Sequence, residues 1–223
     1  MLDFYYNLIT IIELISFPLA LLSLIIILFF YFYFFLRLSF LKIKRSSFDQ
    51  PISIIICAKN ELENLKRNLP LILKQDYHTF EVILVNDQSI DGTSFFLEDL
   101  AKKNKHLVVV DIDSFVTHSP GKKFALTLGI KTAKYEHLLL TDADCAPSSK
   151  GWAGRMISNF NHADIVLGYG GYEKKRGLLN KIIRFDTFNV AQQYLSFALA
   201  RQAYMGVGRN LAYKKSLFFK NKG

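Results

Sequence analysis

The chain has 223 residues, 51% of them hydrophobic, with 28 Lys and Arg against 19 Asp and Glu. A chain of this size can bury its own core without disulfides or metals, and its two isolated cysteines, Cys57 and Cys145, fit no zinc spacing. The formal charge of +9 would suit nucleic-acid binding, but the basic residues are scattered in small groups without an aromatic-interleaved stripe or a known motif. No nucleic-acid partner is predicted, and contact with anionic membrane lipids explains the charge more simply.

The N-terminal segment predicts a membrane anchor. Residues 14–36 are uncharged and mostly apolar, and at ~1.5 Å per residue such a helix reaches roughly 35 Å, enough to cross a bilayer. A signal peptide is disfavoured because residues 1–13 contain Asp3 and Glu13 but no Lys or Arg. Basic residues follow the apolar run: Arg37, Lys42, Lys44 and Arg45. Since such flanks stay inside, we expect the N-terminus outside and the rest of the chain at the cytoplasmic face of the inner or plasma membrane.

The remaining sequence alternates short apolar runs with helical patterns. We therefore expect two parts, an anchor with its basic segment over residues 1–45 and one domain over residues 51–223. Strands are predicted at 52–57, 80–85, 107–110, 137–140, 165–167 and 210–213, and helices at 62–73, 95–100, 124–133, 152–160 and 178–204. Strands that are apolar throughout and separated by helices indicate an α/β fold, a mostly parallel sheet covered on both faces.

Polar side chains follow the first, second and fourth predicted strands. Parallel strands of such folds bind ligands at their carboxyl ends, so these side chains should meet at one edge of the sheet. Asp142 and Asp144 come directly after the fourth strand at i and i+2, so both can face the same divalent cation, and carboxylate oxygens suit Mg²⁺ or Mn²⁺. The same spacing recurs in Asp111-Ile112-Asp113, where a solvated strand-end turn is the simpler interpretation.

Five segments together resemble the family 2 glycosyltransferases, whose nucleotide-sugar-binding domain has the GT-A fold. Residues 53–61 are similar to the family's opening strand and Asn-Glu turn, 85–93 to its Asp-Asp-x-Ser-x-Asp-x-Thr segment, and 121–130 to its Gly-Lys-x-x-Ala-Leu-Asn-x-Gly helix start. Residues 140–144 resemble its metal-binding Asp-x-Asp motif and 208–213 its Gly-x-Asn-x-Ala-Tyr segment. Two positions depart from the pattern, Asn86 in place of the first Asp and Thr127 in place of Asn.

The resemblance implies a metal-dependent, inverting transfer of a sugar from a nucleoside-diphosphate sugar to a lipid-linked or polysaccharide acceptor at the membrane. It implies that Asp144, with Asp142, holds Mg²⁺ or Mn²⁺. The residues that it implies for nucleotide binding are Ala58, Asn60, Glu61, Asp87, Lys122 and Asp142. It also leads us to expect a catalytic-base carboxylate beyond Gly223, so that the domain over 51–223 is incomplete at its C-terminus.

Other functions remain as alternatives. A dinucleotide-dependent oxidoreductase is disfavoured because Ala58-Lys59-Asn60-Glu61 replaces the glycine-rich turn after the first strand. A nucleotidyltransferase would share the fold and the metal, but the glycine-rich basic loop typical of that class is missing from the first strand end. A membrane-anchored protein that binds a nucleotide sugar without turnover stays open.

Overall fold

The computed structural model describes residues 2–41, 48–112 and 121–221. Three of the predicted basic flanking residues, Lys42, Lys44 and Arg45, lie outside the described residues, as does Asp113. The chain forms two compact units. One contains the sheet and its helices, within residues 44–170 and 206–223, and the other contains the N-terminal helices with Gly171–Met205.

The first unit is built on a six-stranded mixed sheet in the order β3-β2-β1-β4-β6-β5. Its strands are β1 (Ile52–Ala58), β2 (Phe80–Asp87), β3 (Leu107–Ile112), β4 (His137–Asp142), β5 (Ile165–Leu167) and β6 (Leu211–Lys214). Strands β3, β2, β1 and β4 are parallel, and β6 runs antiparallel between β4 and β5. The predicted α/β fold with a mostly parallel sheet is confirmed.

Helices cover both faces of this sheet. They are α3 (Leu62–Leu73), α4 (Thr93–Lys103), α5 (Lys122–Thr132), α6 (Trp152–Ile157) and α8 (Lys215–Lys220), with 3₁₀ turns at Ser158–Asn161 and Gly208–Asn210. Successive side chains of a strand point to opposite faces, so in β1 Ile54 and Ile56 enter one hydrophobic cluster and Ile55 enters the other. Two cores therefore fix the sheet between its helices, which explains why the strands are apolar throughout.

Helix α5 approaches the sheet closely at one glycine. A Cβ atom at Gly129 would lie 2.9 Å from Ile55 Cγ2 and 3.0 Å from Val85 Cγ2. Both distances are shorter than ordinary carbon contacts, so only glycine allows this helix to rest directly on β1 and β2. The contact sets the height of the whole helix, including its first residue Lys122, above the sheet.

Replacing Gly129 with Val is expected to lower the free energy of unfolding by about 1–3 kcal/mol, the usual cost of overpacking a core. Thr127→Val is the matched control, because it puts the same residue on the partly exposed side of the same helix and should change stability by no more than about 0.5 kcal/mol. Denaturant unfolding of both variants in detergent measures the difference. Equal midpoints for the two variants would contradict the close packing described for α5.

The second unit contains the apolar N-terminal helices and the longest helix of the C-terminal half. Helix α1 (Leu2–Phe30) continues through a π-helical segment, Tyr31–Phe35, into α2 (Leu36–Ser39), and α7 spans Leu178–Leu199. Helical structure therefore begins before the predicted residues 14–36. The stretch Ile12–Ser39 contains 18 residues in a row with a mean hydropathy of 2.7, and it is long and apolar enough to cross a membrane by length and composition. Within this unit the Phe34 ring stacks on Phe197 of α7, with centroids 4.1 Å apart.

The predicted helix over 178–204 is too long, because α7 ends at Leu199. Arg201 adopts a left-handed conformation with φ +62°. The Gln202 N–H then donates to the Phe197 carbonyl at 2.9 Å, and the Arg201 N–H donates to the Ala198 carbonyl at 2.9 Å. This pair of bonds closes the helix in a Schellman motif. An arginine takes the position that usually holds glycine, so the helix end carries no sequence signal.

Candidate functional site

A cleft of about 430 Å³ opens at the carboxyl ends of β1, β2 and β4. These are the three strands whose ends the sequence analysis singled out. The lining residues are Cys57, Ala58, Lys59, Glu61, Asp87, Gly121, Lys122, Ala125, Asp142, Ala143 and Asp144. The parallel register aligns the strand ends, since Cys57 of β1 pairs with Asp142 of β4 and Ala58 pairs with Asn86 of β2. Four carboxylates and two lysines therefore line one polar cleft.

The acidic pair after β4 lies opposite the start of α5. Lys122 Nζ donates to Asp142 Oδ1 at 2.7 Å, and this bond raises the pKa of Lys122 above its usual value. Asp144 is exposed and accepts a hydrogen bond from the Cys145 thiol at 3.2 Å. One ligand atom each from Asp142, Asp144 and Cys145 lies within 4.8 Å of the others. Two hard carboxylate oxygens at this spacing fit a divalent cation such as Mg²⁺ or Mn²⁺.

A buried amide supports the turn between the two acids. Asn68 of α3 is 1% exposed, and its Nδ2 donates to the Ala143 carbonyl at 3.0 Å. Because the bond is buried, its loss would leave a polar carbonyl without a partner and would cost about 1–3 kcal/mol. The position of the acidic pair thus depends on a helix that is 75 residues away in sequence.

Asp87, at the end of β2, is the most deeply placed acid of the cleft. Its side chain is 10% exposed, and Oδ2 lies 3.8 Å from Lys59 Nζ. The other oxygen, Oδ1, is buried and has no hydrogen-bond partner among the described residues. A buried carboxylate oxygen without a donor is costly, so Asp87 has unmet hydrogen-bonding capacity at the wall of the cleft.

The loops after β1 and β2 hold each other in place. Each contains a residue in the left-handed region near its start, Asn60 at φ +55° and Gln88 at φ +56°. The Asn60 N–H donates to Ser89 Oγ at 2.8 Å, and the Ile90 N–H donates to Asn60 Oδ1 at 2.8 Å. The Asn60 side chain therefore ties the two loops together. It does not line the main cleft but a smaller neighbouring depression of about 290 Å³.

Glu61 joins the main cleft to this depression. It lines both, and its Oε2 accepts a hydrogen bond from Asn64 Nδ2 at 2.6 Å. Asp91, on the far wall of the depression, accepts from the Thr93 hydroxyl at 2.6 Å and from the Leu62 N–H at 3.0 Å, and these bonds lower its pKa. Asp91 thus stabilises the loops through these hydrogen bonds, whereas Glu61 lines the main cleft.

The structure explains why Asn stands at position 86. Asn86 Nδ2 donates at 2.7 Å to Asp111 Oδ1 and at 2.7 Å to Ser94 Oγ. A carboxylate at position 86 would face Asp111 without a proton between them, and like charges at that distance repel. Asp111 is thus held at the end of β3 by Asn86 and does not line the cleft.

Comparison with known proteins identifies the family. The family model for glycosyl transferase family 2 matches residues 53–220, three quarters of the chain. The chain belongs to this family. Its curated relatives include poly-beta-1,6-N-acetyl-D-glucosamine synthases of Staphylococcus aureus (strain COL), 31% identical over 134 residues, and of Staphylococcus epidermidis, 37% identical over 93 residues. These alignments cover 59% and 42% of this chain but only 31% and 21% of the relatives, so the chain spans less than a third of their length.

Solved structures show the same fold at low identity. Mannosyltransferase PcManGT from Pyrobaculum calidifontis, solved with GDP-Man and Mn²⁺, superimposes with a TM-score of 0.66 at 21% identity, over 95% of this chain and 58% of that chain. Residues 1–349 of S. aureus TarS with UDP-GlcNAc superimpose with a TM-score of 0.58 at 20% identity, over 77% and 47%. The predicted GT-A fold of this family 2 chain is confirmed.

Most of the predicted site residues line the cleft at the ends of β1, β2 and β4. Ala58, Glu61, Asp87, Lys122, Asp142 and Asp144 line it, and Asn60 lies beside it. The sequence analysis did not select Cys57, Lys59, Asn68 or Cys145 for the site. For Cys57 and Lys59 a signal existed, since they flank Ala58 at the end of β1. Asn68 carried no signal, because its role arises only when α3 packs beside β4.

The Cys57 thiol of this cleft should react slowly at neutral pH. Burial and the nearby Asp142 and Asp87 carboxylates raise its pKa to about 11, two units above an ordinary thiol, although Lys122 opposes the shift. The reactive thiolate is therefore about 100-fold scarcer than in a free thiol below pH 9. Alkylation by iodoacetamide, followed by mass spectrometry, should be slow at pH 7.5 and accelerate as the pH rises toward 11. Alkylation at pH 7.5 as fast as that of a short cysteine peptide would contradict this environment.

Proposed function

We propose that this chain provides the donor site of a membrane-attached glycosyltransferase. It would bind a nucleoside-diphosphate sugar together with Mg²⁺ or Mn²⁺ and transfer the sugar, with inversion, to a lipid-linked or polysaccharide acceptor at the cytoplasmic face. The observation that carries the proposal is the cleft in which Glu61, Asp87, Asp142 and Asp144 meet Lys59 and Lys122 at the strand ends. Membership of family 2 supports it.

Each residue has a role that follows from its position. Asp144 and Asp142 would hold the cation, which neutralises the charge that collects on the departing diphosphate. Lys122 already keeps Asp142 in place through its 2.7 Å hydrogen bond, and as a free ammonium it would also attract phosphate oxygens. The Asp87 carboxylate, whose side chain is 10% exposed at the end of β2, and Glu61 at the rim would accept hydrogen bonds from the nucleoside.

UDP-GlcNAc is the donor to test first. The synthases with about 31% identity are named for a polymer of N-acetyl-D-glucosamine, and TarS was solved with UDP-GlcNAc. PcManGT, by contrast, was solved with GDP-Man. The two bases differ at their hydrogen-bonding edges, so competition between UDP and GDP for the cleft distinguishes the two donor classes.

The N-terminal helices would hold the donor site at the membrane. We propose that Ile12–Ser39 spans the bilayer as part of an anchor over residues 1–45, with residues 51–223 forming the cytoplasmic glycosyltransferase domain. Two observations support this: 18 residues in a row within this stretch have a mean hydropathy of 2.7, and basic residues follow the apolar run. A reporter cysteine near residue 5 should react with a membrane-impermeant reagent only from outside. Labelling from the cytoplasmic side alone would reverse the orientation.

A radiolabelled-donor assay tests the function itself. The full chain in membranes is incubated with Mn²⁺ and UDP-[¹⁴C]GlcNAc or GDP-[¹⁴C]mannose, with native membrane extract as acceptor. We expect one donor to bind in an EDTA-sensitive manner. Transfer of its label to a lipid or polymer fraction also needs a general base for the acceptor hydroxyl, a role that is assigned to none of the cleft residues. Binding without transfer therefore supports the donor site, and the absence of metal-dependent binding of either donor would contradict it.

A further inference from the structure

The N-terminal half of α7 exposes an apolar face. Leu178 is 73% exposed, Leu179 71%, Ile182 55% and Phe185 66%. Three of these residues, at positions i, i+4 and i+7, lie on one side of a helix. Single exposed apolar residues are ordinary on protein surfaces, but four large ones within eight positions indicate an interaction surface.

Basic residues outnumber acidic ones in and just before the part of α7 that carries this apolar face. In the preceding loop and the first half of α7 they are Lys174, Lys175, Arg176, Lys181 and Arg184, against Glu173 and Asp186. No carboxylate among the described residues forms an ion pair with any of the five. Their charge is therefore not neutralised within the described chain. An apolar face beside excess positive charge fits the surface of a lipid bilayer, whose acyl chains are apolar and whose headgroups can be anionic.

The loop is fastened to the helix that carries the face. Asn180 Oδ1 accepts a hydrogen bond from the Lys175 N–H at 2.8 Å, and Asn180 Nδ2 donates to the Glu173 carbonyl at 3.1 Å. The basic loop therefore cannot swing away from the first turn of α7 without breaking two hydrogen bonds. The positive charge of the loop therefore stays next to the apolar face of α7.

The same structural unit connects this face to the apolar N-terminal helices. Phe34, 5% exposed, stacks on Phe197 near the far end of α7. Phe34 lies close to the basic end of the stretch Ile12–Ser39, where a spanning helix would leave the hydrocarbon. Phe185 precedes Phe197 by twelve positions, so α7 carries the apolar face roughly 18 Å away from that contact.

We infer that α7 is an interfacial helix, which lays Leu178, Leu179, Ile182 and Phe185 into the headgroup region of an anionic bilayer. The occupant of the apolar face is thus lipid, with the basic loop bound to acidic headgroups. The inference rests on the proposed membrane attachment but not on sugar transfer. Docking beside the anchor gives the chain a second, electrostatically controlled contact with the membrane.

Depth-dependent quenching in nanodiscs tests the inference on the full chain. A Cys57→Ser/Cys145→Ser background receives one new cysteine, Phe185→Cys on the apolar face or Thr187→Cys on the opposite side of α7. A third variant, Ile25→Cys, reports the spanning segment. Each is labelled with bimane and reconstituted into discs whose lipids carry bromine on the acyl chains, either with phosphatidylglycerol or with phosphatidylcholine alone.

We expect the label at 185 to be quenched several-fold more strongly than the label at 187, and more strongly in the anionic discs. Quenching at 25 should not depend on the headgroup. Equal quenching at 185 and 187 would overturn the inference, as would no quenching at 185 while 25 is quenched. A label at 185 that is shielded from solvent but not quenched would also overturn it, because the face would then be covered by protein, such as a second copy of the chain.

Discussion

Replacing Asp144 with Asn is expected to abolish Mn²⁺-dependent nucleotide binding. Asp144 is the exposed member of the acidic pair and accepts only the Cys145 thiol among the described residues, so its second oxygen is available to a cation. Loss of a residue that merely orients a metal ligand costs about 10–100-fold in affinity, and loss of a direct ligand should cost more than about 100-fold. Calorimetric titration of UDP into the full chain in detergent, with and without Mn²⁺, measures the effect.

Asp111→Asn is the matched control for this prediction. Asp111 is also an exposed acid at a strand end, but it accepts hydrogen bonds from Asn86 and Ser94 and does not line the cleft. An Asn at position 111 keeps an oxygen that can accept both bonds. Binding should therefore stay within a few-fold of the unmodified chain. If the two substitutions weaken binding equally, Asp144 is not distinguished from Asp111 and the metal assignment to the acids after β4 is wrong.

Much of the fold was predictable from the sequence because its strands are strongly patterned. Buried parallel strands must be apolar on both sides, so β1 and β2 appear as uninterrupted runs such as 52–57. Because parallel strands end at the same edge of the sheet, the polar side chains that follow these runs are expected to lie close together. For this reason the sequence predicts Asp87, Asp142 and Asp144 at one edge of the sheet, and the cleft brings them together.

The parts that were not predictable depend on contacts between distant segments. Asn68 acts through a buried hydrogen bond to Ala143, which no local pattern records. The end of α7 depends on the left-handed Arg201 where glycine is usual. The departure from the family pattern at Asn86 becomes intelligible only when β3 places Asp111 opposite the Asn86 amide.

The second large effect is expected at Asp87, where stability and binding should respond in opposite directions. Its Oδ1 is buried and lacks a donor among the described residues, and the nearest cation, Lys59 Nζ, is 3.8 Å from the other oxygen. In the free protein this partly compensated charge costs free energy. Asp87→Asn removes the charge while keeping nearly the same shape, so the melting temperature should stay the same or rise.

Nucleotide affinity should fall in the same variant. A hydrogen bond to a charged group contributes about 1.5–3 kcal/mol, so the loss of the carboxylate corresponds to about 10- to 150-fold weaker binding. Mn²⁺ binding in the absence of nucleotide should not change, because Asp142 and Asp144 are untouched. Asp91→Ala is the contrasting variant: Asp91 fixes the loops by accepting from Leu62 and Thr93, and its loss should lower the melting temperature. If Asp87→Asn destabilises the chain as Asp91→Ala does and leaves the affinity for UDP unchanged, Asp87 is a structural acid, and its unsatisfied oxygen is not reserved for the donor.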